Sequence, residues 1–328
     1  MAPVKVAILD DYQHVALTIA DWSSVRDRLS IDVYDETLAD EDALVQRLEP
    51  YTIICTMRER TKFPASLLDR LPNLKLITTT GMWNAGIDVA HAKKKGIAVS
   101  GTGGAGNSTT EHIWALILAT ARYIALEDAG VKARRQAWQT SIPVGLKGKT
   151  LALVGVGKLG VATAKIAKAF DMEVIGWSPN LTPERAAAAG VTYVATKEEL
   201  FKRGDIVSIH IVLSESTRHL ITAADLALLK PTALFINTSR GPIVDEQALV
   251  KVLQEKKIAG AGLDVFDVEP LPLDHPLRTL QNVTSTPHTG YVSDDNYKVS
   301  VFWGDTVDNI SSFLNGTAKR LLAGPKVD

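Results

Sequence analysis

Short apolar runs alternate along the chain with segments in which apolar positions recur at helical spacing. In the first hundred residues the runs predict strands at Lys5–Leu9, Ile31–Tyr34, Tyr51–Thr56, Leu74–Thr79 and Gly96–Ser100. The segments between them predict helices at Leu17–Leu29, Glu41–Leu48, Pro64–Leu71 and Val89–Lys95. Such alternation is typical of a parallel sheet that is covered by helices on both faces.

A second array of the same kind begins near Thr150. Its predicted strands are Leu151–Val154, Glu173–Trp177, Thr192–Val194, Asp205–Ile211, Ala233–Asn237, Ile258–Leu263 and Val283–Ser285. Its predicted helices include Leu159–Phe170, Lys197–Arg203, Ala223–Leu229 and Glu246–Glu255. Between the arrays lie a glycine-rich stretch over 100–110 and a long helical pattern from Glu111 to about Ile124, and Ser293–Leu314 predicts one more helix. We therefore expect an α/β protein with two doubly wound parallel-sheet domains.

Composition narrows the function classes. A chain of 328 residues corresponds to roughly two domains of about 150 residues. The 36 basic and 37 acidic residues leave a net charge of −1, which disfavours a nucleic-acid partner. The single cysteine, Cys55, excludes an internal disulfide and a multi-cysteine metal site, and the histidines lack metal-ligand spacing, so we expect no metal. The chain begins without a signal-peptide pattern and its most apolar stretch, Ile113–Ala119, is too short for a membrane span. We expect a soluble, cytoplasmic protein.

The segment 151–160, LALVGVGKLG, carries a G-x-G-x-x-G pattern between a predicted strand and a predicted helix. In this context the first glycine allows a tight turn, the second lets a pyrophosphate approach the backbone, and the third permits close helix packing. The helix N-terminus then offers free N–H groups to the phosphates. We predict dinucleotide binding at Gly155, Gly157, Lys158, Leu159 and Gly160. The alternative is a glycine turn that serves packing alone.

The choice between NAD and NADP stays open. An acidic residue at the end of the second strand would bind the ribose hydroxyls and repel a 2′-phosphate, but Ser178 stands there. The nearest cation downstream is Arg185. We therefore expect NAD(P) as the cofactor, with Ser178 among its contacts.

Three further segments follow the glycine turn in this order: FINTSRGPIVDE over 235–246, AGAGLDVFDVEP over 259–270 and VTSTPHTG over 283–290. Together with the glycine turn, they resemble the D-isomer-specific 2-hydroxyacid dehydrogenases. The similarity continues more loosely through 1–110, where TTGMWNAGID over 79–88 resembles the substrate loop of that family.

The resemblance implies that Arg240 grips the substrate, Glu269 is the partner of a histidine, and His288 is the acid/base. Reduction of a 2-oxo acid needs a hydride at the carbonyl carbon and a proton for the developing alkoxide. Histidine suits the proton transfer because its unperturbed pKa is about 6.5, and a neighbouring carboxylate favours the imidazolium. The planar arginine fork can hold a carboxylate bidentately. The alternative reading of each residue alone is a packing or capping role.

Further positions take their expected roles from the same resemblance. The expected substrate-binding residues are Met82, Trp83 and Arg58, and the expected additional cofactor contacts are His210, Thr217, Thr238, Ser239 and Asp264. Trp83 stands where many members carry glycine or arginine, so it either lines the pocket or packs away from it. Arg58 either lines the same cleft or is a surface arginine. Val212-Leu213 departs from the common proline-leucine pair, which weakens the assignment of that loop.

The resemblance also implies how the domains are organised. Residues 1–101 plus 291–328 are expected to form a flavodoxin-like substrate-binding domain, and 102–290 a Rossmann NAD(P)-binding domain, with an interdomain cleft. Members of the family are commonly dimers built on the cofactor domain, so a homodimer with an interface at Glu111–Trp138 is expected.

The expected function is that of an oxidoreductase. It would transfer a hydride between NAD(P)H and a small anionic 2-oxo acid, of the glyoxylate, hydroxypyruvate or pyruvate type, forming the D-2-hydroxy acid. No regulatory domain is expected after Leu322. The alternatives are a corepressor-like protein that senses dinucleotides without turnover, and a formate or phosphite dehydrogenase.

Overall fold

A computed structural model describes residues 2–297 and 301–322 of the chain. The chain divides into two compact units, one formed by Met1–Gly106 with Val292–Asp328 and the other by Asn107–Tyr291. The prediction of two parallel α/β sheets is confirmed, since the described residues form one sheet of five strands and one of seven.

The first unit contains the five-stranded sheet. Its strands are β1 Val4–Ile8, β2 Leu29–Val33, β3 Ile53–Thr56, β4 Leu76–Thr79 and β5 Ala98–Ser100. Its helices in this part of the chain are α1 Glu41–Leu48, α2 Ala65–Asp69 and α3 Val89–Lys94. The strand order is β2-β1-β3-β4-β5, and all neighbours pair in parallel. Every residue of β3 is buried, as expected for a parallel strand covered on both faces.

The helix predicted at Leu17–Leu29 is wrong. Over this segment the structure has turns and a single 3₁₀ turn at Arg26–Arg28, and β2 already begins at Leu29. Side chains occupy backbone groups that an α-helix would use. The Trp22 indole Nε1 donates to the Ala16 carbonyl at 2.8 Å, and the Asp21 carboxylate accepts from the Ser23 N–H at 2.9 Å.

The second unit contains the seven-stranded sheet. Its helices are α4 Ser108–Ala121, α5 Ile124–Lys132, α6 Lys158–Ala169, α7 Pro183–Ala188, α8 Lys197–Arg203, α9 Ala223–Leu226 and α10 Glu246–Gln254. Its strands are β6 Thr150–Val154, β7 Glu173–Trp177, β8 Thr192–Tyr193, β9 Ile206–Ile209, β10 Leu234–Asn237, β11 Gly260–Leu263 and β12 Val283–Ser285. The order is β12-β11-β10-β9-β6-β7-β8, again parallel throughout. Alternate residues of β6 enter the two cores of this unit: Leu151 and Leu153 one, Ala152 and Val154 the other.

After the second unit the chain returns to the first. The predicted helix Ser293–Leu314 is described as α11 Asp294–Tyr297 and α12 Phe302–Leu314, while 298–300 lie outside the described residues. The Asn309 amide on α12 donates to the Gly101 carbonyl at 2.8 Å, and the Leu322 N–H donates to the Val99 carbonyl at 2.9 Å. Over residues 2–297 and 301–322, every helix is too short or too polar to cross a lipid bilayer.

Candidate active site

Three neighbouring strands of the seven-stranded sheet each lead into one of the predicted catalytic residues. Arg240 follows β10, Glu269 follows β11 and His288 follows β12, and these strands are adjacent in the order β12-β11-β10. Because parallel strands end at the same edge of a sheet, the three segments meet at the carboxyl edge. Residues separated by up to 48 positions in the sequence are thereby brought to one part of the unit.

His288 and Glu269 form a direct pair. The His288 Nδ1 lies 2.6 Å from the Glu269 Oε2, and Glu269 Oε1 accepts from the Phe266 N–H at 2.9 Å. The Tyr291 ring meets the imidazole edge to face, at 5.7 Å between centroids. The carboxylate is thus itself held by the backbone while it orients the imidazole. Since Nδ1 is engaged, Nε2 is the ring nitrogen left to exchange a proton with a substrate.

Asp264 organises the loop that carries His288. This buried carboxylate accepts from Thr286 Oγ1 at 2.6 Å and from the N–H groups of Thr289 at 2.8 Å and Gly290 at 2.9 Å. Its backbone carbonyl accepts from the His288 N–H at 2.8 Å. Burial alone would raise the pKa of Asp264, but hydrogen bonds from His112 and Thr286 bring it below its usual value. The carboxylate therefore stays charged and holds both ends of the loop.

The turn before Arg240 is fixed by Asn237, the last residue of β10. Its buried amide donates to the Arg240 carbonyl at 3.1 Å, and its amide oxygen accepts from the Ser239 N–H at 3.0 Å. A Cβ on Gly241 would collide with the backbone of Phe266. Because Gly241 has no Cβ, the segment that carries Arg240 can pack directly against Phe266. Phe266 is also the residue whose N–H donates to Glu269.

The glycine turn after β6 has the geometry that a dinucleotide requires. Gly155 has φ +102°, and a Cβ there would lie 2.7 Å from the His210 carbonyl oxygen. A Cβ on Gly160 would collide with the Gly155 carbonyl, so this glycine serves helix packing. Around Gly157, by contrast, no atom of the described residues other than Gly157 and its two chain neighbours lies within 4 Å of such a Cβ. Lys158 and Leu159 open the twelve-residue helix α6, whose N-terminal N–H groups suit a phosphate.

The other predicted cofactor contacts surround the same edge. The two His210 ring nitrogens are buried and have no hydrogen-bond partner among the described residues, and burial lowers the pKa of this histidine to about 4. Ser239 Oγ donates to the Ile211 carbonyl, and Thr217 Oγ1 donates to the Val212 carbonyl at 2.7 Å. Thr238 is buried beside Ser239. A polar group facing His210 would satisfy it, which fits a bound cofactor.

Ser178 directly follows β7, and the loop after it carries no acidic side chain before Glu184. The Arg185 Nη1 donates to the Asn180 carbonyl at 2.9 Å, which places a guanidinium against the loop. This arrangement accommodates either NAD or NADP.

Arg58, Met82 and Trp83 belong to the first unit. The Arg58 guanidinium donates to the Thr80 carbonyl at 3.2 Å, and a Cβ on Gly81 would collide with it, so the arginine lies against the start of the loop over 81–84. Met82 and Trp83 are 52% and 48% exposed. Arg58 is therefore packed on this loop rather than extended into solvent. A substrate contact for all three stays a prediction.

No motif pointed to His112, although it joins the network around Asp264. The His112 Nε2, on α4, lies 2.9 Å from Thr286 Oγ1 and 3.2 Å from Asp264 Oδ1. Thr286 lies 174 residues further along the chain, so only the folded structure shows the contact. Within the described residues, the chain has no cluster of side chains suited to a metal ion.

Comparisons with known proteins agree with this geometry. Residues 114–290 match the family model described as D-isomer specific 2-hydroxyacid dehydrogenase, NAD binding domain. The chain is 42% identical to a glyoxylate reductase of Thermococcus litoralis over 70% of this chain and 71% of that protein. It is 34% identical to a D-3-phosphoglycerate dehydrogenase of Methanocaldococcus jannaschii over 97% of this chain, but spans only 61% of that protein. A phosphoglycerate oxidoreductase from Vibrio cholerae shares its structure with a TM-score of 0.88 at 33% identity, over 96% of this chain and 100% of that one.

Proposed function

Because the chain belongs to the D-isomer-specific 2-hydroxyacid dehydrogenase family, we propose that it reduces a small 2-oxo acid to the D-2-hydroxy acid with NAD(P)H. The observation that carries this proposal is the His288–Glu269 pair, held at 2.6 Å where β12 and β11 end. It lies in the same unit as the open glycine turn and next to the strand that leads to Arg240. A proton donor, a cation for the carboxylate and a cofactor cradle are thus parts of one domain.

Each group has a role that follows from its chemistry. A dinucleotide held by its pyrophosphate at the glycine turn would supply the hydride from its reduced nicotinamide. His288 donates the proton that the developing alkoxide needs, and Glu269 keeps the imidazole in its orientation. Arg240 binds the substrate carboxylate and polarises the carbonyl oxygen. Asp264 keeps the His288 loop in place.

The proposed substrate class is a short 2-oxo acid of the glyoxylate, hydroxypyruvate or pyruvate type. The names of the relatives support this range, since a glyoxylate reductase and the hydroxypyruvate reductase of Thermotoga maritima are among them. The loop with Met82 and Trp83, together with Arg58, is proposed to contact the substrate. Rates of NADH and NADPH oxidation with a panel of 2-oxo acids test the substrate class and the cofactor together. Dinucleotide binding without turnover would favour a sensor, and activity only with formate or phosphite would favour those dehydrogenases.

We further propose that the protein is a cytoplasmic homodimer whose interface includes Glu111–Trp138. The second unit exposes large apolar side chains in and just beyond this segment, with Val131, Trp138 and Ile142 at 56%, 76% and 93% exposure. A monomer would leave this apolar surface in water. Light scattering that gave a monomeric mass would refute the interface. The single, buried Cys55 is compatible with a reducing compartment.

The sharpest test of the catalytic assignment is His288→Ala. Loss of the proton donor should lower kcat about 10²- to 10⁴-fold, while the affinity for NADH is unchanged because the glycine turn is intact. Steady-state kinetics and a fluorescence titration of NADH measure the two effects. His14→Ala, at a highly exposed histidine of the other unit, is the matched control and should behave as the wild type. Nearly normal turnover by H288A would contradict the assignment.

A further inference from the structure

His112 contacts Thr286 of the catalytic loop and the Asp264 carboxylate that holds this loop, and it lies beside Gly290. Its Nε2 lies 2.9 Å from Thr286 Oγ1 and 3.2 Å from the Asp264 carboxylate. Its ring lies beside Gly290, since a Cβ added to this glycine would be 3.4 Å from the His112 Cδ2. Thr286 and Gly290 bracket His288, so one side chain on helix α4 binds one end of the loop that presents the acid/base and lies beside the other.

The direction of the hydrogen bonds can be assigned from the partners. Thr286 has a single hydroxyl proton, and it points to Asp264 Oδ1 at 2.6 Å. Its oxygen can therefore only accept from His112, so Nε2 carries a hydrogen and serves as the donor. The same N–H also faces Asp264 Oδ1, which acts only as an acceptor. His112 thus completes a closed set of donors around a buried carboxylate.

The catalytic geometry depends on this carboxylate. Asp264 holds the N–H groups of Thr289 and Gly290 through its side chain and that of His288 through its carbonyl. The backbone of His288 has φ +52°, a left-handed conformation that few residues other than glycine adopt, and surrounding contacts must maintain it. Loosening Asp264 would let the loop relax and move the imidazole from its place against Glu269.

We propose that His112 is a positioning residue of the reductase: it fixes Asp264 and Thr286 and thereby holds His288 in its reactive orientation. This inference rests on the proposed function of His288. Because His112 acts through Asp264 and Thr286, we expect its effect on kcat and not on the binding of the dinucleotide phosphates at the glycine turn.

The test compares three substitutions that differ in where they carry a donor. His112→Leu keeps an apolar side chain of similar size but removes the N–H, and should lower kcat about 10- to 100-fold with little change in NADH affinity. His112→Gln carries an amide N–H near the position of Nε2 and should restore most of the rate. His112→Asn reaches only as far as Nδ1 and should not. His91→Leu is the matched control, because His91 also pairs with a carboxylate, that of Asp69 at 2.8 Å.

A second measurement does not depend on turnover. Hydrogen exchange at the Thr289 and Gly290 amides should speed up about tenfold or more in H112L, since both donate to the carboxylate that His112 fixes. Wild-type kcat in H112L, or equal rates for the glutamine and leucine variants, would overturn the inference. If the wild type reduced no 2-oxo acid, the proposed function would fail. Exchange at the two amides would then decide whether His112 holds the loop, and unchanged exchange would exclude it.

Discussion

The two sheets share one arrangement around their first strand but differ in what lies at its end. In the first unit β1 lies between β2 and β3, and in the second β6 lies between β7 and β9. In both sheets, later strands are therefore added on both sides of this first strand. Ligands of open parallel sheets bind at the carboxyl edge where the strand order reverses. Topology alone therefore offers two candidate dinucleotide sites.

In the five-stranded sheet, the space at the carboxyl end of the first strand, β1, is occupied by polar groups of the protein itself. The buried Asp10 carboxylate accepts from the hydroxyls of Thr37 and Thr61, and its carbonyl accepts from Arg60 Nη1 at 2.8 Å. The neighbouring Asp11 carboxylate accepts from two N–H groups of the turn that follows. Two carboxylates with their donors already in place leave an anionic phosphate with no favourable position.

In the seven-stranded sheet the same position is left open. Apart from Gly157 and its two chain neighbours, no described residue lies within 4 Å of where a Cβ on Gly157 would be, and helix α6 begins there. The His210 ring nitrogens have no partner among the described residues. The difference shows that the side chains after the first strand, and not the strand order, decide which sheet takes the cofactor.

Gly157→Ala should close the open space at the glycine turn of the seven-stranded sheet. The new methyl meets no described residue beyond its two chain neighbours, so folding should be unaffected, but it occupies the space through which a pyrophosphate contacts the backbone. We expect the Kd for NADH to rise about 10- to 100-fold, or roughly 1–3 kcal/mol. Fluorescence titration measures the affinity, and thermal unfolding measures the stability.

Two other glycines of the same unit serve as controls. Gly145 also has open space around it, so Gly145→Ala should change neither quantity. Gly160→Ala should instead lower the stability, because its Cβ would collide with the Gly155 carbonyl. If G157A bound NADH as tightly as G145A does, the glycine turn would serve packing alone, and its open space would not mark the cofactor site.

Much of this fold follows from the hydrophobic pattern, because buried parallel strands are continuous apolar runs. Glu173–Trp177 and Val283–Ser285 are strands with the predicted bounds. The prediction failed at Leu17–Leu29, where periodicity was helical but side-chain hydrogen bonds, such as that of Trp22 to the Ala16 carbonyl, replace the helical ones. Periodicity reports which face is apolar and says nothing of such competition for backbone groups.

In the candidate site, too, some residues could be predicted from the sequence and others could not. Motifs within single segments pointed to Gly157, Glu269 and His288, because each segment has a local pattern that the resemblance covers. These motifs did not reveal that Glu269 also accepts a hydrogen bond from the Phe266 N–H, or that His112 contacts the Asp264 carboxylate. These contacts depend on how strands and helices pack, which residue order alone does not specify.

His210, whose buried ring nitrogens have no partner among the described residues, should make the stability of the protein depend on pH. Its pKa is lowered from 6.5 to about 4, so between these values the unfolded chain binds a proton that the folded protein does not. Stability must therefore fall as the pH falls from 6.5 towards 4. Between pH 7 and pH 5 the cofactor-free wild type should lose about 2 kcal/mol more than His210→Gln.

Urea unfolding of the cofactor-free protein at the two pH values gives the free energies. His14→Gln, at a highly exposed histidine, should follow the wild type. An equal loss in wild type and H210Q would mean that the folded protein takes up the proton as readily as the unfolded chain. The imidazole would then not be the buried, unsatisfied group that a cofactor is expected to meet.

The smallest effect on stability is expected at Asp10, the buried carboxylate that follows β1 in the five-stranded sheet. Burial raises its pKa above 3.8, although Thr37, Thr61 and Arg60 act in the opposite direction. A raised pKa means that its contribution to stability is largest at low pH and is lost as the pH rises above 3.8. Asn tolerates the observed φ of 61° and keeps an acceptor without the charge, so Asp10→Asn at pH 7 should change the free energy of unfolding by less than about 1 kcal/mol, towards greater stability.

Chemical denaturation of D10N at pH 7 and pH 4 tests this, with Asp42→Asn as the same change of charge at a highly exposed position. The advantage of D10N over the wild type should shrink at pH 4, because the wild-type carboxyl is then increasingly protonated. The affinity for NADH should stay the same in both variants, since Asp10 belongs to the sheet whose first-strand position the chain fills itself. A loss of NADH binding by folded D10N would instead place the dinucleotide at the five-stranded sheet and contradict the comparison.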